Sequence, residues 1–116
     1  MSNDNAKTLR KVAIFDIDGT IFRSSLLIEL VEVLIELRLF SVSVRMEYEN
    51  EKVRWLDREG DYEAYIMAVV RVFMKNIKGV PYAEFMRASA LVIARYRHRT
   101  YKYTEALIKK LKAEGY

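Results

Sequence analysis

Apolar residues follow two different rhythms along this chain. Near the N-terminus, Val12-Ala13-Ile14-Phe15 is an unbroken apolar run, which predicts a short buried strand. It empties into Asp16-Ile17-Asp18-Gly19-Thr20. From Leu26 onward the apolar residues recur at helical spacing instead. Ser24 or Ser25 is placed to cap a helix running to about Phe40, with Glu29, Glu32 and Glu36 on one narrow face. Ser41 or Ser43 opens a second helix, ending near Gly60, with Met46, Val53 and Leu56 on one stripe and Tyr48 and Trp55 beside it. Asp61 caps a third, carried by Ile66, Val69, Val70, Phe73 and Ile77 until Gly79 stops it. Pro81 suits the first turn of a fourth, built on Phe85, Ala88, Val92 and Tyr96. A fifth, from Tyr103 to Glu114, offers Leu107, Ile108 and Leu111 and is closed by Gly115. Ala90 to Ala94 could pass for a strand by composition, but its flanks are helical. The expectation is one N-terminal strand followed by about five helices, a chain that is mostly α. A lone strand has no partner for its ladder groups, and the sequence offers no second one.

Composition narrows the class. The chain has 116 residues, enough for one small domain or one piece of a larger one. An apolar fraction of 52% can fill a core, and 31% charged residues suit a helical, water-facing surface. The absence of cysteine excludes disulfides and thiolate metal sites, and the polar first ten residues lack a signal-peptide apolar region. Leu26 to Phe40 is strongly apolar, but three glutamates interrupt it and it falls short of the ~20 residues of a membrane span. A cytoplasmic protein with no membrane association is expected.

The net charge of +4 is unevenly spread. From Arg87 to Lys112 the chain holds Arg95, Arg97, Arg99, Lys102, Lys109 and Lys110 with only Glu105 as an acidic counterweight. The stretch Arg95 to Tyr103, laced with Tyr96, Tyr101 and Tyr103, could grip nucleic acid. The end of a helix, where cations complement the dipole, accounts for it more simply. His98, the sole histidine, has no visible partner. Tyr62, Tyr65, Met67, Phe73 and Met74 could line an apolar pocket, although helical spacing favours core packing. The glutamate stripe is expected to be a solvated face, with pairing to the basic helix end as the alternative.

The chemistry is concentrated at Asp16 and Asp18. On an extended path the two carboxylates point to one side, where they repel unless a cation or a shared proton compensates them. The pair therefore suggests a magnesium site or an acid/base pair, and Gly19 lets the chain turn sharply after it.

Phe15-Asp16-Ile17-Asp18-Gly19-Thr20, preceded by an apolar run, resembles the first motif of the haloacid dehalogenase (HAD) superfamily of phosphotransferases. The resemblance implies α/β ancestry, a Rossmann-like core with a helical cap inserted after the first strand. Residues 1–23 would hold the tail, strand and motif; residues 24–100 the cap; residues 101–116 a helix returning to the core. Asp16 would be the nucleophile, Asp18 the general acid and base, and Mg2+ would sit on the Asp16 carboxylate and the Asp18 carbonyl. The substrate would be a phosphorylated small molecule. The cap position is similar to that of the phosphoserine-phosphatase subgroup, whose substrate-binding glutamate follows the motif. Here Ile21-Phe22-Arg23-Ser24-Ser25 stands there instead, so phosphoserine is not implied and Arg23 could meet a second anionic group.

The family also needs a Ser or Thr for the phosphoryl oxygens, a cation balancing the nucleophile, and distal acidic metal ligands. Thr100, Thr104, Lys109 and Lys110 have the right chemistry but fall on or beside predicted helices. This chain alone is therefore expected to be an incomplete, inactive HAD enzyme. The alternative is a non-catalytic helical module that binds a protein partner or nucleic acid and keeps an idle motif. The unpaired strand could also join two copies into a homodimer.

Overall fold

The computed structural model describes residues 9–116. Five α-helices dominate it: α1 (Leu26–Glu36), α2 (Glu49–Leu56), α3 (Tyr62–Asn76), α4 (Tyr82–Tyr96) and α5 (Lys102–Ala113), with a 3₁₀ helix (Val42–Glu47) between the first two. The chain is mostly α, as its periodicity predicts.

Local chemistry sets most of the helix starts. The Ser25 side chain accepts a hydrogen bond from the Ile28 N–H, and Asp61 accepts one from Glu63, each satisfying a donor the helix cannot. Pro81 occupies the cap position of α4. α1 stops at Glu36, short of Phe40, because Arg38 turns into the left-handed region (φ 61°). The N–H groups of Leu39 and Phe40 then fold back onto the Leu34 carbonyl, and Phe40 re-enters the core.

The second predicted helix is two pieces. Ser41 caps the 3₁₀ turn, and the chain restarts as α2 after Tyr48. A 3₁₀ helix repeats every 3.0 residues, so the stripe extrapolated at 3.6 loses phase across it. Met46, Val53 and Leu56 are consequently exposed, and Val44 and Tyr48 are buried in their place.

α1 is the central element. It packs against α3 and α4, while α2 and the 3₁₀ helix pack on α3. Val31, Leu34 and Ile35 of α1 meet Tyr65, Val69 and Val72 of α3 and Ala88 and Val92 of α4 in one core. Each fully buried aliphatic side chain contributes about 1.5–3 kcal/mol relative to exposure.

Lys11 to Asp16 does not form the predicted buried strand. Among the described residues there is no sheet, only two isolated bridges. Val12 and Ile14 are 70% and 92% exposed. The reason lies in the backbone: a strand satisfies its N–H and C=O groups only through a neighbour, and no described segment supplies one. α5 likewise touches none of the other helices. It lies beside the N-terminal segment, with the Lys11 ammonium 3.5 Å from the Glu114 carbonyl and 5.6 Å from the Tyr116 ring centre. Leu107, Ile108 and Leu111 are only half-buried. The radius of gyration is accordingly 19.5 Å, against about 13 Å for a compact chain of this length.

A small clasp joins the two parts. The Arg23 N–H donates to the Arg99 carbonyl at 2.9 Å, and the Tyr101 N–H donates to the Ile21 carbonyl at 3.0 Å. Phe22 is buried at this bridge with Thr100. The chain therefore enters and leaves the helical bundle side by side.

Candidate active site

The acidic motif closes into a tight loop. The Ile17 carbonyl accepts from the N–H groups of Thr20, Ile21 and Phe22, and the Gly19 N–H donates to Phe22 at 2.8 Å. Gly19 has φ 81°, a conformation that costs a side-chain-bearing residue about 1–2 kcal/mol. The loop carries Asp18 to the start of α1, where its Oδ1 accepts from the Leu26 N–H at 3.3 Å. Free N–H groups and the helix dipole both favour negative charge there.

Asp16 and Asp18 are placed differently. The chain bends at Ile17, so strand alternation does not carry from one aspartate to the next. Asp18 lines an open groove of roughly 1280 Å³ beneath the bundle, and so does Arg23. Asp16 is exposed, does not line that groove, and has no hydrogen-bond partner among the described residues.

The groove walls are strongly charged. Glu29, Glu32 and Glu36 all face it, but none is the free, solvated stripe the sequence suggested. Glu29 pairs with Arg99 at 3.1 Å and accepts from Ser24; Glu36 pairs with Arg95 at 2.6 Å. Glu32 takes Arg45 at 2.8 Å and a short hydrogen bond from the Tyr48 hydroxyl. Burial pushes the Glu32 carboxyl up, yet the Tyr48 and Arg45 hydrogen bonds and the charges of Arg45 and Lys52 outweigh it and hold the group below its usual value. Tyr48 is shifted upward, first by burial and then by Glu32. The three glutamates are paired, whereas Arg23, Arg38 and Lys52, which line the same groove as Asp18, have no ion-pair partner among the described residues.

Aromatic side chains complete the walls. Trp55, Tyr62, Tyr65, Tyr96 and Tyr101 all line the groove. Burial raises the Tyr62 hydroxyl, and the negative charge of Asp18 and the presence of Tyr101 raise it further. Tyr65 is pushed up to about 12 by burial and by Glu32 and Glu29. Of the five residues the sequence offered as pocket lining, Tyr62 and Tyr65 reach the groove. Phe73 packs between Phe40 and Phe85, and Met67 and Met74 are exposed.

The basic C-terminal stretch is largely engaged. Arg95 and Arg99 serve α1 glutamates, and Arg99 also stacks over the Tyr96 ring at 4.4 Å. Arg97 donates to His98 at 3.2 Å, which gives that exposed histidine its partner. Thr100 donates to Glu105, and Lys109 pairs with the same carboxylate. Thr100, Thr104, Lys109 and Lys110 do not line the groove.

Sequence reasoning missed Trp55, Tyr101, Arg38 and Lys52 as groove residues. Their signal was absent because Arg38 follows α1, Lys52 and Trp55 lie on α2 and Tyr101 precedes α5, and only tertiary packing brings them to one groove.

As a metal centre the motif offers two carboxylates and the Asp18 carbonyl, which accepts no backbone hydrogen bond among the described residues. All are hard oxygen donors, the kind Mg2+ takes alongside waters and substrate phosphate. The described residues hold no group of three or more metal-ligating side chains. No described helix is long and apolar enough to cross a membrane. No protein-family model, curated protein or solved structure matches this chain.

Proposed function

We propose that the motif loop and groove belong to a magnesium-dependent phosphatase of HAD type, a phosphomonoester hydrolase working through an aspartyl-phosphate. The observation that carries this reading is the delivery of Asp18 by the DxDGT loop to a groove with three cations that have no ion-pair partner among the described residues. The clasp at Arg23 and Tyr101 supports reading residues 24–100 as a cap inserted between two parts of a core.

Asp16, which lies outside the groove, would attack phosphorus in line once a completed core brings it to the phosphate, and the bond from phosphorus to the leaving oxygen would break. Asp18 gives that oxygen a proton. It then takes a proton from the water that hydrolyses the aspartyl-phosphate. Arg23 meets a second anionic group of the substrate. Bound Mg2+ would screen the charges of nucleophile and phosphate from each other. A phosphoryl-holding Ser or Thr and a cation for Asp16 are not placed at the motif by the described residues. They would come from strands pairing with Lys11 to Asp16, so the polypeptide alone is inactive.

The test is Mg2+ titration followed by amide NMR, beside turnover of an aryl phosphate. Shifts confined to Ile17–Phe22, absent in Asp16→Asn, are expected, with no turnover by this chain alone. Amides that ignore Mg2+ would sink the reading. Turnover that Asp16→Asn abolishes would mean that a second chain completes the site.

One observation favours a second reading. The exposed, unpaired backbone around Val12 and Ile14 suits β-pairing with a partner strand, including that of a second copy. The chain would then be a non-catalytic binding module. Sedimentation of Ile14→Pro beside the parent chain tests that pairing, since proline removes a ladder donor and should leave a monomer, and a dimer without aryl phosphate turnover would favour the binding module.

A further inference from the structure

Three partly exposed aromatic rings line the groove that Asp18 also lines. Trp55 and Tyr62 are each 39% exposed and Tyr101 42%, although rings of this size usually bury themselves when a core is within reach. Trp55 and Tyr62 lie 4.9 Å apart between ring centres, tilted by 56°. Tyr62 also meets Tyr65 edge-on at 6.3 Å, and it lines the groove together with Asp18 and Tyr101. Tyr101 is tied to the motif loop through its N–H bond to Ile21. The arrangement is therefore an open aromatic surface in a groove shared with Asp18, where Arg23 and Lys52 have no ion-pair partner among the described residues.

We infer that this groove takes a phosphomonoester whose leaving group carries a flat aromatic ring, the ring stacking on Trp55, Tyr62 and Tyr101 and the phosphate lying toward Asp18 and Arg23. The inference rests on the phosphatase reading and adds the substrate class. Aromatic faces reward a planar group through stacking and give an aliphatic chain only area. These cations select for an anion, while the glutamates that would oppose one are occupied by Arg95, Arg99 and Arg45. A polynucleotide fits the surface poorly. Arg95, Arg97 and Arg99, which could have tracked a backbone beyond the groove, are engaged within the chain.

Trp55 is the sole tryptophan, so its emission reports on the groove directly. The chain would be titrated with phenyl phosphate, thymidine 5′-monophosphate, glycerol 2-phosphate, inorganic phosphate and phenol. Trp55 fluorescence and the amide shifts of Ile17–Phe22 would be followed together. The aromatic phosphates should perturb Trp55 saturably and bind at least about five-fold more tightly than glycerol 2-phosphate, the lower end of what one stacked ring supplies. Tyr62→Leu should remove that advantage and leave glycerol 2-phosphate unchanged. Tyr101→Leu serves as the second variant, and circular dichroism checks the fold of both. A tighter hold on phenyl phosphate than on the nucleotide would assign a simple aryl group, and the reverse a nucleobase.

Equal affinity for aliphatic and aromatic phosphates would overturn the ring preference and leave the phosphatase reading standing. Phenol binding as tightly as phenyl phosphate would overturn the phosphate half, and the phosphatase reading with it. Silence toward every ligand would overturn both.

Discussion

Val12 and Ile14 in the N-terminal segment and Val33 and Leu34 in α1 are chemically alike, yet their environments are opposite. The first two are among the most exposed apolar residues described, and the second two are buried almost completely. The difference lies in backbone satisfaction, not in hydrophobicity. A helix closes its own hydrogen bonds and needs only one packing surface, which α3 and α4 give to α1. A strand must find a neighbouring ladder before a face can be buried, and no described residue offers one. An apolar run predicts burial only where its backbone already has a partner.

The largest test of that contrast is truncation on each side. Leu34→Ala removes a fully buried side chain at the α1 interface and should cost about 2–5 kcal/mol. Ile14→Ala should stay within about 0.5 kcal/mol, because nothing packs on a residue that exposed. Urea unfolding of both variants measures the gap. Comparable losses would mean that the N-terminal segment is covered in solution, as β-pairing between copies would do.

Polar pinning differs in the same way. Tyr48→Phe removes the hydroxyl that donates to Glu32 inside the bundle and should cost roughly 1–2 kcal/mol. Tyr116→Leu removes the ring beneath Lys11 on the exposed side and should cost almost nothing. The first pair also sets an acid response. The folded chain holds Glu32 below the usual carboxyl value of 4.5, so its contribution is full above that pH and is lost as pH falls through the folded value. Tyr48→Phe removes one of the hydrogen bonds that lower it and brings the folded value closer to the unfolded one, so the acid loss contributed by Glu32 should shrink. Urea midpoints between about pH 3 and 7 read this out, and an unchanged loss would assign acid sensitivity to other carboxylates.

What the sequence made legible follows the same division. Helices α3 and α4 were readable because Asp61 and Pro81 punctuate a clean 3.6-residue period. The break at Tyr48 was not, because a six-residue 3₁₀ helix carries no period of its own in the sequence and the Tyr48–Glu32 contact joins residues from two elements. The glutamate stripe was visible at 29, 32 and 36, but its partners come from positions 45, 95 and 99, which periodicity cannot connect to α1. At the candidate site, the loop-forming role of Gly19 was legible from the motif itself. The groove was not, since Trp55, Tyr62 and Tyr101 share no sequence pattern with Asp18 and meet it only after packing and the clasp.

The smallest effects sharpen the comparison most, because the same backbone device occurs in both regions. Arg38 after α1 and Arg58 after α2 hold left-handed conformations, φ 61° and 59°, and Gly115 after α5 does so at 90°. Glycine escapes the side-chain penalty at such caps. Arg58→Gly should therefore raise global stability by about 0.5–1 kcal/mol, a few degrees in melting temperature. Arg38→Gly should give a similar gain while weakening anion binding, because Arg38 lines the groove and Arg58 does not. Gly115→Ala carries the reverse local cost, yet it should leave the unfolding midpoint unchanged and lower only the helicity of residues 102–113. α5 touches no other helix, so strain at its end has no packed interface through which to reach the bundle. A midpoint that falls with Gly115→Ala would show that α5 and the bundle unfold as one unit.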